Sequence, residues 1–169
     1  MDRDSYLQLF DEHHLPLFRF AYRMTGSVAD AEDIVQECFL ELLRPGCSYD
    51  PQRTPVRTYL FGVVRNQSLK RISKNGAAFD DNAQEWAGRS PESQYLHTEM
   101  KGVVAHAVTR LPEGQREALI LAHYEQMPLA EIASVMGIEV TAVKSRMQRA
   151  RAHLKETLAA YAPGTERKR

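Results

Sequence analysis

The feature that most constrains the fold of this 169-residue chain is the segment 128–151, PLAEIASVMGIEVTAVKSRMQRAR. Ala133 and Gly137 lie four residues apart, where a helix-turn-helix needs a small residue facing its second helix and a flexible residue at the turn. Four apolar residues supply the contact between the two helices: Ile132, Met136, Ile138 and Val143. The segment therefore predicts two helices joined by a tight turn.

Polar and apolar residues separate on the second helix of this motif. At about 100° per residue, one arc of roughly 60° holds the apolar residues Val143, Met147, Ala150 and Leu154. The opposite side carries Thr141, Lys144, Ser145, Gln148, Arg149, Ala152 and Lys155. Residues 140–155 include five Lys or Arg and no Asp or Glu. This separation favours a helix in a phosphate-walled DNA groove, with an ordinary hairpin bearing a solvated basic surface as the alternative.

Charge is sorted along the chain, although 22 Lys and Arg balance 22 Asp and Glu to a net charge of zero. Residues 51–79 contain six Lys or Arg and no acid, whereas residues 28–43 contain five acids and no base. Because the average hides this sorting, a neutral chain can still bind nucleic acid. We expect two kinds of partner, one anionic and one not.

Several function classes are disfavoured by composition. Cys38 and Cys47 are the only cysteines and have no CxxC spacing, which predicts a reducing compartment, no structural metal and, less favoured, a redox pair. The polar N-terminus and the lack of an apolar run of about 18 residues predict a cytoplasmic protein without membrane insertion. The six histidines show no metal-ligand spacing and no nucleophile–base pair. We therefore expect no enzyme activity, no cofactor, and no catalytic or metal site.

Helical periodicity in almost every long segment, and no strand pattern, predict an all-α fold of two small domains joined by a flexible linker. The segment 75–98 is mixed, acidic and poorly periodic, with Trp86 as the residue expected to dock on a neighbouring surface. The predicted parts are a first domain over 1–76, a linker over 77–98, a helix-turn-helix domain over 99–163 and a basic tail over 164–169.

An acidic helix is predicted over 29–43. Its buried stripe is Ala31, Val35, Cys38, Phe39 and Leu42. Four acids lie elsewhere, within about 80° of arc, and form what we call the acidic strip: Asp30, Asp33, Glu37 and Glu41. Ile34 and Leu40 flank the strip and favour a protein-binding face, with solvated surface as the alternative. Metal or acid–base chemistry is disfavoured because no histidine accompanies the carboxylates.

A basic helix is predicted from about Pro55 to Ser73, within the basic segment 53–74. Its charges are spread around the helix, so that helical angles define no single DNA face. Tyr59, Phe61 and Asn66 alternate with the basic residues, a mixture that can neutralise phosphates and stack on bases. Together with the helix-turn-helix this favours nucleic-acid binding, and a solvated basic helix remains the alternative.

These segments resemble the extracytoplasmic-function subgroup of bacterial sigma factors, over nearly the whole chain. Residues 30–39, DAEDIVQECF, are similar to the core-polymerase-binding helix, and residues 57–66, RTYLFGVVRN, to the promoter-melting helix. Residues 111–151 resemble the C-terminal domain of the family, including EIA at 131–133 and VKSR at 143–146. Two departures are Tyr59, where the family most often has Trp, and Val56, where Phe is common.

The resemblance implies partners and site residues. Asp30, Asp33, Gln36 and Glu37 would bind the clamp helices of the largest subunit of core RNA polymerase. Arg57, Arg65, Asn66, Lys70 and Arg71 would contact the minus-ten element as it melts, and the loop 44–53 would receive an unstacked base. Thr141, Lys144, Ser145, Gln148 and Arg149 would read the double-stranded minus-thirty-five element, with Arg146 and Arg151 on phosphates. An anti-sigma factor is a further implied partner.

The function that follows is promoter recognition and opening on behalf of core RNA polymerase. The alternative is a stand-alone helix-turn-helix transcriptional regulator with an N-terminal sensing domain. The acidic and basic helices disfavour that alternative, because a sensor needs a ligand pocket and the sequence indicates none.

Overall fold

The computed structural model describes residues 2–75 and 102–161, and every regular element within these ranges is helical. The first range forms three helices: α1 (Arg3–Thr25), α2 (Val28–Leu43) and α3 (Val56–Asn75). Asp2 caps α1 by accepting a hydrogen bond from the Ser5 backbone N–H at 2.8 Å. Gly26 ends α1 with φ of 71°, a left-handed conformation that suits glycine.

The three helices of the first domain pack around an aromatic core. Phe20 of α1 meets Phe61 of α3 edge-on, with ring centroids 5.5 Å apart. Phe39 of α2 packs between Tyr6 and Phe10 of α1, at 6.1 and 5.0 Å. Since all three helices contribute a ring to this core, it fixes the outward faces of α2 and α3 relative to each other.

The second range forms the remaining helices. They are α4 (102–109), α5 (Glu113–Leu119) continuing into a π-helical turn (Ile120–Tyr124), α6 (Leu129–Met136) and α7 (Val140–Leu158). A 3₁₀ turn, Ala159–Tyr161, follows α7. Gly137 separates α6 from α7 with φ of 65°, and Ile132, Met136 and Val143 are buried between them. The helix-turn-helix is therefore confirmed, including the role of Gly137 at its turn.

The predicted all-α fold is confirmed, and so is the buried stripe of α2. One residue of α2 is corrected: Ile34 does not flank the acidic strip but is fully buried in the core. The predicted linker 77–98 with Trp86 and the tail 164–169 lie outside the described residues, and the domain boundaries stay predictions. Within the two described ranges, no helix is both long and apolar enough to cross a bilayer.

The two domains contact each other in the structure. Helix α3 of the first domain packs against α6, the first helix of the helix-turn-helix, and α1 packs against α5. The guanidinium of Arg116 in α5 is buried in this contact and donates a 2.7 Å hydrogen bond to the Met24 carbonyl at the end of α1. The contact therefore includes the basic helix α3, which the sequence predicts to bind DNA.

Candidate nucleic-acid and protein interfaces

Helix α7 presents an exposed polar face. Val143, Met147 and Ala150 are buried against the rest of the second domain, which turns the intervening residues to solvent. Six of the seven residues predicted to contact the minus-thirty-five element are exposed: Thr141, Lys144, Ser145, Gln148, Arg149 and Arg151. We call the first five of these residues the recognition face. Its hydroxyl, amide and basic groups can pair with base edges in a major groove.

Arg146, the seventh predicted residue, is half-buried and turned towards α5. Its guanidinium lies against Gly114, where an added Cβ would be 2.8 Å from Nη1 and 3.1 Å from Cζ of Arg146. A side chain at position 114 would require the far end of the flexible Arg146 side chain to shift. In this structure the Arg146 side chain therefore lies between α7 and α5, whereas the sequence prediction assigned it to a phosphate of the minus-thirty-five element.

A buried carboxylate that sequence reasoning missed lies beside Arg146. Glu117 of α5 is 1% exposed and is hydrogen-bonded to Nε of Arg65 in α3. Burial raises the pKa of the Glu117 carboxyl above its ordinary value, while Arg65 and Arg146 oppose that shift. One carboxylate therefore faces an arginine from each of the two basic helices. The available signal was an acid within the apolar run around 118–121.

The five residues predicted on α3 for the minus-ten element do not share one face in this structure. Asn66 and Lys70 are exposed. Arg57 and Arg65 point to the second domain, where Arg57 donates a 2.8 Å hydrogen bond to the Glu125 carbonyl oxygen. Helix α3 therefore exposes Asn66 and Lys70 to solvent, whereas Arg57 and Arg65 contact the second domain.

Arg71, the fifth of these residues, lies against the acidic strip of α2. Its Nη1 is 2.7 Å from Oδ1 of Asp30, and its Nη2 is 3.8 Å from Asp33 and 3.5 Å from Glu37. The sequence assigned Arg71 to DNA, but in this structure its guanidinium holds three carboxylates together on the opposite helix. These contacts fix the strip relative to α3.

Two members of the acidic strip, Asp33 and Glu37, are exposed, whereas Glu41 is half-buried and pairs with Arg44 at 2.7 Å. Asp33, Gln36 and Glu37 are exposed, and Ser27 caps the helix by accepting a 3.2 Å hydrogen bond from the Asp30 N–H. Leu40 is 55% exposed beside them. Since an exposed leucine borders carboxylates, this face combines apolar and anionic surface, as a protein-binding site does.

The loop between α2 and α3 contains both aromatic and sulfur groups. The hydroxyl of Tyr59 lies 3.4 Å from Sγ of Cys47 and 3.5 Å from Oγ of Ser48, and the Tyr49 and Tyr59 rings are 5.0 Å apart. Both cysteines are free thiols, and burial raises the pKa of Cys38 to about 12. The Cys38 thiol therefore stays protonated near neutral pH, a state with little reactivity.

Comparison with known proteins identifies the family. The chain matches the models for sigma-70 region 2 over residues 9–85 and sigma-70 region 4 over residues 101–154. It is 32% identical over 156 residues to the ECF RNA polymerase sigma factor SigL of Mycobacterium tuberculosis, covering 89% of this chain and 86% of SigL. The chain belongs to the ECF RNA polymerase sigma factors.

Two solved structures resemble this ECF sigma factor over most of its length. CnrH, in complex with the cytosolic domain of CnrY, is 26% identical with a TM-score of 0.73, covering 95% of this chain and 92% of CnrH. The sigma factor RpoE of Bartonella quintana, in complex with the anti-sigma factor NepR, has a TM-score of 0.72 at 21% identity, covering 94% and 99% of the two chains. The second likeness supports the fold alone.

As an ECF sigma factor, the protein binds core RNA polymerase, recognises promoter DNA and helps open it for transcription initiation. Region 2 occupies the place where a stand-alone regulator would carry a sensing domain. The alternative of such a regulator is therefore not favoured.

Proposed function

We propose that this ECF sigma factor divides initiation among three helices. In the proposal, Asp30, Asp33, Gln36 and Glu37 of α2 bind the clamp helices of the largest polymerase subunit. The recognition face of α7 reads the minus-thirty-five element, with Arg151 on a phosphate. Helix α3 contacts the minus-ten element through Arg57, Arg65, Asn66 and Lys70 as the strands part.

The single observation that carries the proposal is the recognition face of α7. Its residues are exposed together on the second helix of a helix-turn-helix whose opposite side is buried. Lys and Arg can bond guanine edges and Gln can bond adenine, so the face has the groups that direct readout needs. On α3, exposed Asn66 and Lys70 support a second DNA contact one domain away.

The exposed strip of α2 supports the polymerase contact. Asp33 and Glu37 project to solvent one turn apart, with Leu40 beside them. Carboxylates at the rim of an apolar contact are complementary to a basic protein surface and speed association with it.

The proposal extends to regulation and location. An anti-sigma factor is a proposed partner, supported by the family and by the complex that CnrH forms with the cytosolic domain of CnrY. The protein is proposed to act in the cytoplasm, where core polymerase and promoter DNA are found, and to have no enzyme activity of its own.

Charge reversal on the strip tests the polymerase assignment. The double variant Asp33→Lys and Glu37→Lys should lower the affinity for core polymerase at least about tenfold, as loss of close interfacial charge pairs does. Glu156→Lys, a single charge reversal at an exposed acid on α7, serves as the control, and each single variant of the strip is compared with it. Competition with a labelled sigma factor for core enzyme measures the affinity, and unchanged assembly of the double variant would refute the assignment.

A further inference from the structure

Three carboxylates of the acidic strip lie along one side of α2. Asp30, Asp33 and Glu37 follow one another at spacings of three and four residues, which places their side chains on neighbouring turns. The side chains of Asp33 and Glu37 are 61% and 55% exposed, whereas that of Asp30 is 22% exposed. Because like charges four residues apart on a helix repel each other, the two exposed carboxylates would move apart if no cation lay nearby.

A cation from another helix lies among these three groups. The Arg71 guanidinium bonds Asp30 at 2.7 Å through Nη1, and its Nη2 lies 3.5 Å from Oε1 of Glu37 and 3.8 Å from Oδ2 of Asp33. A guanidinium can serve several oxygens at once because its five N–H donors lie in one rigid plane, whereas an ammonium is a single point charge. Arg71 therefore offsets the repulsion between the exposed carboxylates and restricts their rotamers.

Arg71 approaches the strip from the protein side. Its side chain is 29% exposed, about half as much as those of Asp33 and Glu37. The next residue, Ile72, is 7% exposed, and Ser68, one turn earlier on α3, is fully buried. The backbone that carries Arg71 is therefore anchored in the core of the first domain. A protein that binds the strip meets the outer edges of two carboxylates that are already oriented.

We propose that Arg71 is a positioning residue for the polymerase contact: it holds Asp33 and Glu37 in the orientation that a basic surface of the polymerase needs, without touching the polymerase itself. The inference rests on the proposed role of the strip in polymerase binding. It replaces the DNA contact that the sequence predicted for Arg71. A complex gains affinity when its side chains are ordered before binding, because less conformational entropy is then lost on association.

Removal of the Arg71 charge has two opposing effects, which act on different rate constants. The strip becomes more negative, and this favours faster association with a basic surface. The carboxylates also lose their fixed orientation, and a poorer fit in the bound complex acts mainly through faster dissociation. The association rate constant therefore reports on charge, and the dissociation rate constant reports on orientation.

The experiment measures both rate constants by biolayer interferometry, with immobilised core polymerase, the full-length sigma factor and no DNA. Arg71→Met removes the charge but keeps an unbranched side chain, and Arg71→Lys keeps the charge without the planar fork. Lys74→Met, at an exposed residue three positions further along α3, is the matched control for charge removal. Circular dichroism confirms that each variant is folded, and a dissociation rate constant does not depend on the fraction of the sample that is active.

We expect Arg71→Met to dissociate about fivefold faster than Lys74→Met, and Arg71→Lys to dissociate about twofold faster than the wild type. Association of Arg71→Met should be no slower than that of its control. Equal dissociation rates of Arg71→Met and Lys74→Met would overturn the inference. Slower dissociation of Arg71→Met would also overturn it, because Arg71 would then compete with the polymerase for the carboxylates.

A double-mutant cycle tests whether Arg71 acts through the two carboxylates. In the background of Asp33→Asn with Glu37→Gln, Arg71→Met should change the dissociation rate by less than about twofold, because the groups that it orients are no longer charged. The full fivefold effect in this background would mean that Arg71 acts independently of the strip, and would contradict the positioning role.

Failure of the inference and failure of the proposed function are distinguishable. If the strip does not bind the polymerase, Asp33→Asn with Glu37→Gln leaves the affinity for core enzyme unchanged, and the inference fails with the proposed contact. If only the role of Arg71 is wrong, that double variant still weakens binding, whereas Arg71→Met behaves like Lys74→Met.

Discussion

The two basic helices of this protein have similar composition but opposite surroundings. On α7, Lys144 and Arg149 are exposed, and none of the described carboxylates lies within ion-pair distance of them. On α3, the arginines 57, 65 and 71 are each paired with a carboxylate from another helix. A count of basic residues therefore does not identify a DNA face. What matters is whether each cation is free for a phosphate or already held by the protein.

The largest effect is expected at the carboxylate between the two helices. Glu117→Ala should lower the free energy of unfolding by about 3 kcal/mol, because removing one partner of a buried ion pair leaves its arginines uncompensated. Urea denaturation followed by circular dichroism measures the loss. Glu156→Ala, an exposed site on α7, should stay within about 0.5 kcal/mol of wild type. If both variants lost a similar amount of unfolding free energy, Glu117 would not be the residue that stabilises the contact between α3 and α7.

Substitutions on the recognition face should weaken DNA binding but leave the free energy of unfolding nearly unchanged. Lys144→Ala and Arg149→Ala should each weaken binding at the minus-thirty-five element by roughly 1–3 kcal/mol if they contact base edges. Because both side chains are exposed, unfolding free energies should hardly change. Titration of holoenzyme against promoter and scrambled duplexes measures the difference. An equal loss on both duplexes would mean that these residues touch phosphates only.

A smaller effect on the free energy of unfolding should distinguish Arg71 from its neighbour Lys70 on α3. Arg71→Ala removes the contacts to Asp30, Asp33 and Glu37 and should lower the free energy of unfolding by up to about 1 kcal/mol, the upper range for a partly exposed ion pair. Exposed Lys70 should affect stability little but slow promoter opening when changed to Ala. Thermal unfolding and opening kinetics report the two quantities. If Lys70 proves the more stabilising of the pair, this placement of Arg71 is contradicted.

The smallest effect is a pH dependence at Glu117. Since burial raises the pKa of its carboxyl in the folded state, the folded protein binds this proton more tightly than the unfolded chain does. The contribution to stability is full below the ordinary glutamate pKa and is lost as pH rises through the folded value. Relative to Glu117→Gln, the wild type should therefore lose stability from acidic towards neutral pH in urea denaturation. A difference that grows in the opposite direction would assign Glu117 a lowered pKa.

Sequence reasoning worked where one helix determines the outcome. The apolar arc of α7 and the small residues Ala133 and Gly137 fix the helix-turn-helix locally, so periodicity was sufficient there. The same held for the α2 stripe around Phe39, although Ile34 shows its limit. A residue at the edge of an arc is buried or exposed according to which neighbour packs on it, and the flanking core residues from α1 and α3 are distant in sequence.

The sequence did not reveal which carboxylate each arginine of α3 pairs with. Arg65 and Glu117 are 52 residues apart, and Arg71 meets Asp30 across 41 residues, so no helical spacing connects them. The approach of Arg146 to Gly114 likewise joins residues of two different helices, α7 and α5. These contacts are set by how helices and domains pack, and helical angles within one element carry no information about that.

Permanganate footprinting of promoter thymines, with holoenzymes that carry substitutions in α3 or in α7, separates the roles of the two helices. With Arg57→Ala and Arg65→Ala in α3, we predict that holoenzyme still protects the minus-thirty-five region from nuclease but leaves the minus-ten thymines unreactive. With Lys144→Ala and Arg149→Ala in α7, protection itself should be lost. Normal reactivity of the minus-ten thymines with the α3 variant would contradict the division of labour between the two helices.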